Sequence, residues 1–222
     1  TEVRVLYDDE FIYFGAICFD SSPELVGGSE LGRDDSFAND DKFSILIDTF
    51  HDHRNGFVFS TNPLGTQFDA LITDENVNFN VEWDEKWDSK VTINEKGWEI
   101  EIAIPFKSLR SSKSEVQTWG LELARLIRRK NEMTYWSGWD RDYQFFHVSQ
   151  AGHLTDLKHV KTGLKLRVKP FAVGGFSQTP KNSGSKFKNE SQVGIEDLKI
   201  SLTSSLTADF TINPDFAQAE VD

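Results

Sequence analysis

The sequence predicts an all-β chain: an immunoglobulin- or jelly-roll-like antiparallel β-sandwich, followed by further amphipathic strands. Three observations carry this reading. Apolar residues recur with period two in short runs, and turn signals separate the runs, which is the pattern of half-buried strands rather than helices. The 222 residues include 18 Phe, 6 Trp and 4 Tyr, enough large apolar side chains to fill a core. The composition also breaks once along the chain: all six Trp lie between Trp83 and Trp139, and none follows.

The elements follow in order. Val3, Val5 and Tyr7 alternate with polar neighbours, Asp8-Asp9-Glu10 turns, and Phe11 to Phe19 returns, which is a hairpin. Asp20 to Asp41 is a long polar loop containing Gly27-Gly28. Strands follow at 43–49, 56–61 and 67–73, with Asn62-Pro63-Leu64-Gly65 closing the second. Val91 and Ile93 lead into a turn at 94–97. Trp98, Ile100, Ile102 and Ile104 then face the core, while Glu99 and Glu101 take the opposite face, because successive strand side chains alternate. Pro105 ends that strand, and 106–110 is a helical turn. A long strand over 119–129 and a continuation over 133–137 complete the block.

Residues 163–222 differ in style. Leu164 to Phe176 is one long run. Leu198, Ile200 and Leu202 alternate with polar residues, and so do Leu206, Ala208, Phe210 and Ile212 after Ser204-Ser205. This pattern fits both an ordinary hairpin and the opening strands of an outer-membrane barrel, whose strands run to about 9–11 residues. The charge divides at the same place. Residues 1–162 carry 17 basic and 29 acidic residues, the whole net charge of −12, and residues 163–222 carry seven of each. The two units expected are therefore 1–162 and 163–222, with the boundary at Lys161-Thr162-Gly163. The abrupt start at Thr1 reads as a strand already under way, as in a chain whose native N-terminus was removed or in a fragment.

Several function classes drop out. An acidic surface does not suit nucleic acid. No apolar run is long enough for a membrane-spanning helix. The single Cys18 permits no internal disulfide and no cysteine-rich zinc site. No nucleophile elbow, phosphate loop or His-Glu-x-x-His motif is present.

The stretches 3–9, 40–48, 97–106 and 118–121 resemble the sandwich domain of carbohydrate-binding module family 9. Asp48-Thr49-Phe50, Asn62-Pro63-Leu64-Gly65, Ser108-Leu109-Arg110, the segment 127–132 and Asn213-Pro214-Asp215-Phe216 are similar to one branch of it. That branch stands at the N-terminus of outer-membrane barrel proteins of unknown function. The resemblance implies a non-catalytic module that binds oligosaccharide or polysaccharide by aromatic stacking. It also implies an extracytoplasmic setting, in the periplasm or outer membrane of a Gram-negative bacterium, with residues 163–222 membrane-embedded in the full-length protein. A structural or docking module without sugar binding is the alternative, and an accessory part of a glycan hydrolase in carbohydrate catabolism is the third.

Characterised members hold a sugar between two tryptophans. Here Phe37 stands at the first position, and Trp139, Tyr143 or Phe145 at the second. The candidate sugar residues are Phe37, Trp136, Trp139 and Arg128; a core position is the alternative for Trp136. Arg125, Arg128 and Arg129 are expected to pair with Glu99, Glu101 or Glu122 across the sheet, or to reach a ligand hydroxyl. Trp83 and Trp87 are expected to cap the sandwich end.

Asp34, Asp35, Asp40 and Asp41 cluster in the acidic loop, and calcium takes six to eight oxygen ligands, so a structural calcium is the cofactor expected there. His51-Asp52-His53 offers two imidazoles but shows no third ligand, and reads as an exposed loop. Glu99 and Glu101 read as the solvent face of a strand rather than a catalytic pair.

Overall fold

The structure is a computed structural model that describes residues 1–112, 114–137, 142–160, 166–179, 186–201 and 207–212. Trp139, the boundary residues 161–163, the Ser/Gly-rich loop at 183–185 and Asn213–Phe216 lie outside the described residues. The chain divides into two compact units, Thr1–Thr162 and Gly163–Asp222. Among the described residues the only helical elements are short 3-10 turns, none long and apolar enough to cross a membrane.

The first unit is a β-sandwich. Its four-stranded sheet is built from β1 (Glu2–Tyr7), β2 (Phe11–Phe19), β7 (Asp88–Asn94) and β8 (Gly97–Pro105), in the order β1-β2-β8-β7. The larger sheet comprises β3 (Lys42–Asp48), β4 (Gly56–Thr61), β5 (Gln67–Thr73), β6 (Asn78–Asn80), β9 (Val116–Ile127), β10 (Glu132–Tyr135) and β11 (Gly152–Lys158). Its order is β10-β9-β3-β4-β5-β6, and β11 shares an edge of β9 with β10. β10 takes residues 124–127 of β9, and β11 takes 116–121.

Alternation decides what each strand buries. On β2 and β8, Ile12, Phe14, Ala16, Cys18, Trp98, Ile100, Ile102 and Ile104 point into the sandwich. They meet Phe43, Ile45, Ile47, Phe57, Phe59, Trp119 and Leu121 of the larger sheet. Burying each large side chain stabilises by roughly 1.5–3 kcal/mol. The other face of β8 is polar, and Glu101 stands opposite Lys90 of β7. At the β7–β8 turn Gly97 has φ +137°, and a Cβ there would fall 2.1 Å from the Cys18 carbonyl oxygen, so only glycine fits.

β3 and β4 do not show clean alternation, because both faces of the larger sheet are covered. Leu46, Val58, Ala70, Ile72 and Ala124 form a second cluster on its outer face, beneath Phe145, Val148 and Ala151. A strand buried on both sides reads as a continuous apolar run.

Expected and observed elements differ at strand ends. The long strand stops at Ile127, and residues 128–130 form a 3-10 turn closed by Asn131 in the left-handed region (φ 51°). The continuation is β10, four residues long. The expected turn after Pro105 is a 3-10 turn over Phe106–Ser108. Trp83 and Trp87 pack on Phe57 and Phe59.

The second unit is a three-stranded antiparallel sheet of β12 (Leu166–Thr179), β13 (Lys186–Ser201) and β14 (Thr207–Ile212). Its described strands do not close into a barrel. The register sets Leu198 against Phe210 and Ile200 against Ala208, so the apolar positions share one face.

Candidate functional site

Trp136, just beyond β10, is the most exposed aromatic among the described residues of the sandwich, 56% accessible. Its position is built from beneath. Glu122, buried on β9, accepts N–H bonds from Trp136 and Ser137 at 3.0 and 2.9 Å and the Ser137 hydroxyl at 2.6 Å. The Trp136 amide also reaches the Leu123 carbonyl at 2.9 Å. The ring lies over Gly152 on β11: a Cβ there would come within 2.6 Å of it. The indole is thus braced at its backbone and floored by a residue without a side chain.

A cleft of about 820 Å³ opens beside it. Glu132 and Thr134 of β10 and Trp136 just beyond it, at alternate positions, line it together with Tyr135 and His153, and so do Glu2, Val3 and Val5 of β1. An aromatic ring next to carboxylate, hydroxyl and phenol groups suits a ligand with apolar C–H faces and hydroxyl edges.

Phe37 and Arg128 do not line this cleft. Phe37 is 1% exposed, with φ 51°, and packs edge-on to Phe68 of β5 at 6.4 Å between centroids. β5 lies three strands away from β9, so Phe37 does not oppose Trp136. Arg128 is exposed at the far end of β10; its Nη1 donates to Asn131 Oδ1 at 3.0 Å. Trp139 lies outside the described residues.

The arginines pair elsewhere than expected. Arg129 makes a bidentate bond to Asp20 at 2.7 and 2.5 Å, and Arg125 adds a 3.5 Å contact to the same carboxylate. Arg129 foremost, aided by the Ser22 amide and Arg125 against the opposing effect of burial, holds Asp20 down to about 2. Glu122, one expected partner, spends its oxygens on the Trp136 segment.

The acidic loop closes on its own carboxylates. Asp40 accepts from the Ser29 amide and hydroxyl, the Glu30 amide and Asn62 Nδ2, at 2.8–3.0 Å. Burial acts to raise its pKa, but these donors outweigh it and leave the group lowered. Asp41 accepts from the Gly27 and Arg128 amides. Asp34 accepts from the Asp69 amide and Asp35 from the Gly32 amide. Among the described residues the aspartates of this loop do not converge on one point as a group of ligands.

Two further buried groups are shifted. Burial, partly offset by the Glu85 amide, Trp87 Nε1 and Arg33, pushes Asp69 up to about 6. Burial also pushes the Cys18 thiol up to about 11, which leaves it a small inert core residue. Glu99 and Glu101 sit on the outer face of the four-stranded sheet, away from the cleft-lining residues.

The comparisons with known proteins bear on the fold. No family model matches the chain, and no curated protein matches it. Among solved structures the chain is similar to a putative carbohydrate-binding protein from Bacteroides uniformis, with 11% identity and TM-score 0.53. That match covers 69% of this chain and 76% of the other. The chain also aligns with a carbohydrate-binding module family 9 domain from Caldicellulosiruptor kristjanssonii in complex with cellotriose, at 15% identity and TM-score 0.45, over 69% and 72% of the two chains. The fold of the sandwich is therefore one that a carbohydrate-binding-like protein also uses.

Proposed function

We propose that residues 1–162 form a non-catalytic carbohydrate-binding module that takes an oligosaccharide or polysaccharide chain against Trp136. The braced, exposed indole beside the cleft carries this reading. Glu132, Thr134 and Tyr135 supply partners for sugar hydroxyls, and the ring stacks on the apolar sugar face. The module works outside the cytoplasm, as part of a larger protein of the Gram-negative envelope. The long β12 and β13, with exposed Val168 and Val173, support a barrel-like continuation that sits in the outer membrane. A glycan array followed by calorimetry on the 222-residue chain tests the sugar reading. Saturable binding that Trp136→Ala weakens supports it, and no binding across a broad array overturns it.

The second reading is a docking module without a sugar. It is favoured by the edge strand β6, where Phe79 is exposed and flanked by exposed Val77 and Val81. An open edge with apolar neighbours accepts an added strand. Binding of an extended peptide that Phe79→Asp abolishes, with no glycan bound, would favour this reading. A glycan-hydrolase role ranks third, and would require activity lost on changing Glu99 or Glu101.

A further inference from the structure

β3 ends at Asp48, and the chain returns into β4 through a turn that carries two histidines. His51 and His53 both adopt the left-handed region, with φ 54° and 58°. Non-glycine residues there cost about 1 kcal/mol or more each, and persist only where the surroundings enforce them. Two carboxylates enforce them here. Buried Asp48 accepts from the Asp52 and His53 amides at 3.3 and 2.8 Å. Asp52 accepts from the Arg54 and Asn55 amides at 2.9 and 2.8 Å.

A third histidine arrives from far along the chain. His153 on β11 stands in register with Gly120 of β9, and Gly120 is in register with Asp48 of β3. Gly120 has no side chain to separate the two neighbours. The imidazole centroids lie 4.5 Å apart for His51–His53, 4.9 Å for His51–His153 and 6.3 Å for His53–His153. One ring nitrogen from each falls within 4.8 Å of the others. Nε2 of His51 is buried and makes no hydrogen bond.

We propose that His51, His53 and His153 form a binding site for a divalent transition-metal ion of the zinc, copper or nickel class, with a fourth position open to solvent. A tetrahedral ion with bonds of about 2.0–2.1 Å needs nitrogens roughly 3.3 Å apart. The ring nitrogens, within 4.8 Å of one another, must close by at most about 1.5 Å to reach that spacing. The donor set selects the metal: three imidazoles suit zinc, copper or nickel, whereas calcium and magnesium take oxygen. The ion gives the buried His51 nitrogen a partner and pins β11 to the β3–β4 turn. His153 also lines the cleft beside Trp136, so the ion sits at the margin of that cleft. The proposal does not depend on what the cleft binds.

The test uses the 222-residue chain, stripped with EDTA, dialysed, and titrated with Zn²⁺ by calorimetry. Saturation at one equivalent and a raised melting temperature are expected. His153→Ala, at an exposed position, should weaken binding by more than about 100-fold with the circular dichroism unchanged. His53→Ala should do the same, and His159→Ala, outside the cluster, should leave binding intact. Co²⁺ in place of Zn²⁺ should give the intense visible absorption of a four-coordinate ion. The proposal is overturned by no saturable binding, or by binding that survives His153→Ala undiminished; the three rings then only pack against one another.

Discussion

His153 on β11 faces Gly120 on β9 across the ladder, and the bare Gly120 backbone lets the β3–β4 turn and β11 meet over it. A Cβ at Gly120 would lie 2.9 Å from the Asp48 Cβ and 3.4 Å from the Ala151 Cβ. Gly120→Ala should therefore destabilise the fold by about 1–3 kcal/mol, the usual cost of overpacking. It should also weaken Zn²⁺ binding, because Asp48 holds the turn that carries His51 and His53. Denaturant melts of the metal-free and Zn²⁺-loaded chain separate the two effects.

Gly152 and Trp136 offer a test of the cleft that leaves the core intact. Trp136→Ala should lose most glycan affinity with a stability change within about 1 kcal/mol, since the ring is largely exposed. Gly152→Val should displace the ring from its floor and weaken binding with the indole still present. Calorimetry and indole fluorescence read both variants. Retention of full affinity in Gly152→Val would show that the ring's placement does not matter.

Asp20 and Asp69 predict opposite responses to acid. Asp20 titrates below its ordinary value of 3.8, at about 2, so its contribution is present above 3.8 and is lost as pH falls towards 2. That contribution is about 2 kcal/mol, and Asp20→Asn should remove it. Asp69 titrates at about 6, above its ordinary 3.8. Its contribution is complete below 3.8 and is lost as pH rises through 6, an effect of about 3 kcal/mol. Between pH 7 and pH 4, Asp69→Asn should therefore remove a stabilising slope on acidification. Urea melts across pH, with carboxyl-carbon NMR titrations of both variants, check the signs.

Asp40 ties the loop of residues 27–41 to Asn62 through four donors. Asp40→Ala should cost about 2–4 kcal/mol by leaving buried donors unpaired. Hydrogen exchange should show the Ser29 and Glu30 amides losing protection first.

The sandwich was legible wherever one face of a strand meets solvent. β8 shows this: Trp98, Ile100, Ile102 and Ile104 are buried, and Glu101 is exposed. β3 was legible as a strand, but not as one covered on both faces, because the cover comes from Phe145 and Val148 about a hundred residues later. Trp136 was visible as a candidate, and the period-two spacing of Glu132, Thr134 and Trp136 was the available signal for the rest of the wall. Phe37 misled because an aromatic in a polar loop looks exposed, whereas this loop folds over it. Arg125 and Arg129 misled because Asp20, their partner, lies just beyond the end of β2 and not on a facing strand.

By itself the sequence determined the all-β class, most strand positions, the hairpin turns and the confinement of the charge to residues 1–162. These are local properties: side-chain alternation and turn chemistry act within a few residues. Only the tertiary structure decided which distant residues meet. His51 and His53 lack a third imidazole partner until β11 pairs with β9 and delivers His153. Arg129 has no carboxylate until the sheets pack and bring Asp20 to it. Strand order is set by burying both sheets' apolar faces at once, a condition no local pattern contains.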